Sequence, residues 1–125
     1  MMPKEELLQY IHKTVDMGVA GLEDMLPKTE DQELFSTLEK QKTQYEKVRQ
    51  EARRLLERQG ESVNDASAMA KLSANMMSAG KLLFDASKTI QHLRDYDGED
   101  ESALRLGERL LEIQEENVEE MKRFL

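Results

Sequence analysis

Apolar residues return every three or four positions along four successive stretches of this chain, and a helix-breaking residue follows each of the first three. In the first, Leu8, Ile11, Val15, Gly18, Leu22 and Met25 follow Pro3, which a first helical turn tolerates. Pro27 disfavours helical geometry in the residue before it, so the spacing predicts a helix over about 4–26. Thr29 and Gln32 have the spacing of a capping box for a second helix, about 30–59, along Leu34, Leu38, Gln41, Tyr45, Val48, Ala52 and Leu55. Gly60 suits its C-terminal turn, and Arg53, Arg54 and Arg58 suit the negative end of its dipole. A third helix, about 65–96, is expected after Ser62 or Asn64, with a core row of Met69, Ser73, Met76, Gly80, Leu83, Ser87 and Ile90. Asp97-Gly98 breaks it. A fourth, about 101–124, starts at Asp100 or Ser102. It has Leu104, Gly107, Leu111, Val118 and Met121 on one row and Ala103, Leu106, Leu110 and Ile113 on the next. Helices of similar length with short links place neighbours antiparallel. The expected fold is all-α: one domain over 1–125, an antiparallel up-down-up-down four-helix bundle with crossings near 20°.

Composition fits this and narrows the partners. Of 125 residues, 38% are hydrophobic but only 5% aromatic, with no Trp, so Leu, Met and Ala must fill the interior. That palette favours helix packing over strands. The net charge of −8 repels phosphate backbones and anionic lipid, so neither nucleic acid nor membrane is an expected partner. No apolar run reaches the ~18 residues that span a bilayer. Met1-Met2-Pro3-Lys4-Glu5-Glu6 lacks the apolar region of a signal peptide, and a cytoplasmic location is expected. Without cysteine there is no disulfide, thiolate metal site or thiol nucleophile.

The di-iron site of four-helix bundles needs inward carboxylates and Glu-x-x-His pairs. His12 has Gln9 three residues before it and His92 has Thr89, so neither makes the pair. His12 and Asp16, one helical turn apart, with Glu23 further along the same side, form a weaker metal candidate. A stable site wants three or four ligands, and the competing reading is a boundary histidine beside a solvated acid. There is no Gly-x-Ser-x-Gly and no phosphate-binding glycine loop, so neither an enzyme nor a cofactor is expected. Gly18, Gly80 and Gly107 fall on core rows, where they allow close helix approach or leave room for a ligand. Gln41, Ser73, Ser87 and Gln114 also fall on core rows, with Asn117 beside one. They set register through hydrogen bonds or line a polar pocket.

Between Ala66 and Phe84 the only charges are Lys71 and Lys81. Besides its core row, the third helix carries a second stripe, Ala68, Leu72, Ala79, Leu82, Ala86 and Leu93, with Ala70, Met77 and Phe84 on the other flank. Its apolar arc exceeds the ~100° a bundle helix needs. Wide flanks packed on both neighbours would account for it; a homo-oligomer or protein partner covering the stripe is the expectation. The second helix is rich in Lys and Arg between Lys40 and Arg58, and the fourth in Glu between Glu108 and Glu120. Up-down-up-down order puts these two on a diagonal, so complementary charges would meet only between subunits, and a solvated charge run is the commoner explanation.

Met69-Ala70-Lys71-Leu72-Ser73, then Met76-Met77, and the run from Leu110 to Leu125 resemble an uncharacterised family of small ferritin-like bundle proteins from Gram-positive anaerobes. The likeness covers the second half of the chain and implies a ferritin-like fold, without an activity. Longer members carry a further His-containing segment between the third and fourth helices. It is absent here, which counts against metal. The expected function is that of a non-enzymatic cytoplasmic bundle acting through self-association or protein–protein interaction. The alternative is a degenerate ferritin-like protein that binds a metal ion or small ligand in its core.

Overall fold

A computed structural model describes residues 3–61 and 79–124. Among these the chain is all-helical: α1 (Lys4–Met25), α2 (Gln32–Arg58), α3 (Ala79–Asp95) and α4 (Glu101–Lys122), without strands. Pro27 ends α1 as expected, and Leu26–Lys28 follow as a single 3-10 turn. The start of α2 differs from the expected capping box. Asp31 is the cap, its Oδ1 accepting from the Leu34 amide at 3.0 Å, while the Thr29 hydroxyl donates back to the Met25 carbonyl at 2.9 Å. A carboxylate one residue before the helix is the stronger acceptor for its free amides, and Thr29 serves the preceding turn instead. At the other end Gly60 takes φ +76°. The amides of Gly60 and Glu61 bond the carbonyls of Glu57 and Leu56, a Schellman closure that a residue with a Cβ enters only at a cost. Asp100 caps α4 through the amides of Ser102 and Ala103.

Side-chain pairs fix the direction of each helix. Asp16 meets Arg49 and His12 meets Arg53, so α1 and α2 are antiparallel. Lys40 meets Glu120 and Tyr45 meets Asn117, so α2 and α4 are antiparallel too. Lys4 bonds Asp100, and Ile11 lies beside Gly107, which makes α1 and α4 parallel. The short link 96–100 folds α3 back along α4, with Leu93 against Gly107, and Tyr10 of α1 bonds Thr89 of α3. The order around the bundle is therefore α1, α2, α4, α3. Neighbours are antiparallel, but α2 and α3 run in the same direction. This corrects the expected up-down-up-down order, since α2 is antiparallel to α4 and α3 folds back along α4; residues 62–78, which include the first part of the expected third helix, lie outside the described residues. It also corrects the expectation that α2 and α4 are diagonal.

The core is formed mainly by Leu7, Leu8, Ile11, Val15 and Leu22 of α1, Leu38, Val48 and Leu56 of α2, and Leu106, Leu110 and Ile113 of α4. Leu82 and Tyr96, from α3 and its end, join it. Here α3 departs from its expected rotation. Leu82 and Ala86, expected on an outward stripe, are 2% and 4% exposed, and Leu93 packs on the core. Leu83, expected inside, is 58% exposed; Ser87 is also exposed and Ile90 half-buried. Both rows are apolar enough to face inward; in the structure Leu93, on the Leu82 row, packs over Gly107. Ala68 and Leu72 of the same expected stripe lie outside the described residues, as does the side chain of Ala79.

Candidate functional site

Polar side chains enter the interior at two levels. The first lies between α1 and α2. His12 and Asp16, one turn apart on α1, are buried, and Arg49 and Arg53, one turn apart on α2, answer them. Arg49 Nη1 donates to Asp16 Oδ1 at 3.0 Å, and Arg53 Nη2 stands 3.4 Å from His12 Nε2. A guanidinium has no acceptor, so in that contact Nε2 is the accepting nitrogen of the ring. Further along the seam Lys42 lies 3.9 Å from Glu23, whose carboxylate is largely exposed. The candidates His12, Asp16 and Glu23 thus share one seam, each with a basic side chain beside it. Fixed positive charge next to each would-be ligand opposes a bound cation. Among the described residues no cluster of three or more His, Asp or Glu side chains is placed to hold a metal. The signal that could have revealed this seam is the matching four-residue spacing of His12/Asp16 and Arg49/Arg53.

The second level lies between α2 and α4. Tyr45 extends its ring past Gly18 of α1, where an added Cβ would sit 3.0 Å from two ring carbons, and its hydroxyl accepts from Asn117 Nδ2 at 3.0 Å. Burial pushes the Tyr45 phenol up to about 12, overriding the opposing effect of the Asn117 bond, so it stays protonated at ordinary pH. One turn away on either helix, on opposite sides of that bond because the helices are antiparallel, stand Gln41 and Gln114, both fully enclosed. Gln41 Oε1 and Nε2, Gln114 Oε1 and Asn117 Oδ1 have no hydrogen-bonding partner among the described residues. A buried amide without a partner costs about 1–3 kcal/mol, so four such atoms along one helix seam are a large departure from ordinary cores. These residues stand on the core rows where the sequence places them; that their amides are not satisfied by one another is visible only in three dimensions.

At the surface, α4 presents Glu112, Glu115, Glu116, Glu119 and Glu120, which with Lys40 line an open groove of about 610 Å³. Lys40 and Arg123 reach Glu120 and Glu33 across the α2/α4 seam, at 3.4 and 3.8 Å. Basic α2 and acidic α4 therefore meet within one chain. On α3 the exposed large apolar side chains are Leu83 and Phe84, with the Lys88 ammonium 4.9 Å from the Phe84 ring centroid. Near the opposite end of the helix, His92 stacks on Tyr10 at 3.7 Å and holds the Lys88 carbonyl through Nδ1. Among the described residues no helix is long and apolar enough to cross a membrane. Comparison with protein-family models, with curated proteins and with solved structures finds no match to this chain.

Proposed function

We propose that this chain is a non-enzymatic, cytoplasmic, ferritin-like bundle that works by self-association or by binding a protein partner through the outer face of α3. The observation that carries the reading is the exposure of adjacent large apolar side chains, Leu83 at 58% and Phe84 at 53%, on a helix whose inner face is already filled by Leu82, Ala86 and Thr89. Apolar side chains of this size displayed together favour a protein contact. The interface is thus moved one position around the helix from the stripe expected from sequence. A ferritin-like arrangement, and with it kinship to the small bundle family, draws support from the helix order, since such folds have one long connection between parallel second and third helices. Sedimentation of the wild type against a Leu83→Glu/Phe84→Glu double variant tests the reading. The wild type is expected to be a dimer or larger at micromolar concentration, and the variant a monomer of unchanged helicity. A wild-type monomer throughout the concentration range would remove the self-association arm. Full binding of a partner by the double variant would remove the other.

A second reading, a small ligand in the bundle core, is favoured by the buried amide atoms of Gln41, Gln114 and Asn117 that no group among the described residues satisfies.

A further inference from the structure

We draw no further inference here: the strongest candidate, the open acidic groove on the outer face of α4 lined by Lys40, Glu112, Glu115, Glu116, Glu119 and Glu120, carries nothing, because it is a cluster of carboxylates and nothing else among the described residues points to a ligand in it.

Discussion

Gly18 and Gly107 both let helices come close, yet the atoms each would strike differ, and so should the cost of filling them. A Cβ at Gly18 meets the Tyr45 ring at 3.0 Å, and that ring is enclosed and tied at its hydroxyl to Asn117. A Cβ at Gly107 would lie 2.5 Å from Leu93 Cδ2, the tip of a half-buried side chain that can turn away. Gly18→Ala is therefore expected to lose about 1–2 kcal/mol by overpacking. Gly107→Ala should fall within about 1 kcal/mol of neutral, because the gain in helix propensity offsets the Leu93 shift. Denaturant titration of both checks the contrast. Leu82→Ala should cost about 2–5 kcal/mol, whereas Leu83→Ala should stay within about 0.5 kcal/mol in the isolated subunit. The reverse order would restore Leu83 to the core.

At the level of the helix, Asp100 serves two elements at once. It caps α4, and its Oδ2 accepts from Lys4 Nζ at 2.7 Å, tying the start of α1 to the start of α4. The Lys4 bond holds the Asp100 carboxyl below its ordinary 3.8, and the same bond raises Lys4 above 10.5. A depressed carboxyl adds stability above its unfolded pKa and loses it as pH falls through the lower folded value. A raised ammonium adds stability below its unfolded pKa and loses it as pH rises through the higher folded one. The pair should thus contribute between these two limits. Asp100→Asn keeps a capping oxygen and removes the charge, so its Tm should fall less steeply than that of the wild type below about pH 4. Parallel curves would mean that solvent screens the pair completely. Asp31→Ala should cost about 1 kcal/mol through loss of the α2 cap.

For the whole molecule, the prediction concerns the order of helices. Zero-length carbodiimide coupling at high dilution should join Lys40 to Glu120 and Lys4 to Asp100 within a single chain, as seen by peptide mass mapping. Up-down-up-down order would keep the first pair apart on opposite sides of the bundle. The ion pairs on the α2/α4 seam are partly exposed, so Lys40→Ala should cost less than about 1 kcal/mol, and added salt should weaken the seam only slightly. The seam positions complementary faces more than it stabilises them. Within one chain it also uses the charge complementarity that an up-down-up-down order would allow only between subunits.

The sequence by itself determined the helical class, the end of α1 at Pro27 and the closure of α2 at Gly60. These follow from short-range rules: 3.6-residue periodicity, the fixed φ of proline and the left-handed turn of glycine. It also put Gln41 and Gln114 on core rows, with Asn117 beside one, and all three are buried, whereas Ser87 of an expected core row is exposed because its helix turns the other apolar row inward. Only the tertiary structure decided which of two apolar rows of α3 faces inward, since both satisfy the same period and the choice depends on how the helix packs against its neighbours. Likewise, Asp31 displaced Thr29 as a cap because both residues stand near the helix start and local geometry chooses the acceptor. The order α1, α2, α4, α3 was beyond any local rule. Helix periods are blind to the direction in which the next helix returns, and long-range pairs such as Lys40–Glu120 and Tyr45–Asn117 exist only once the whole bundle has closed.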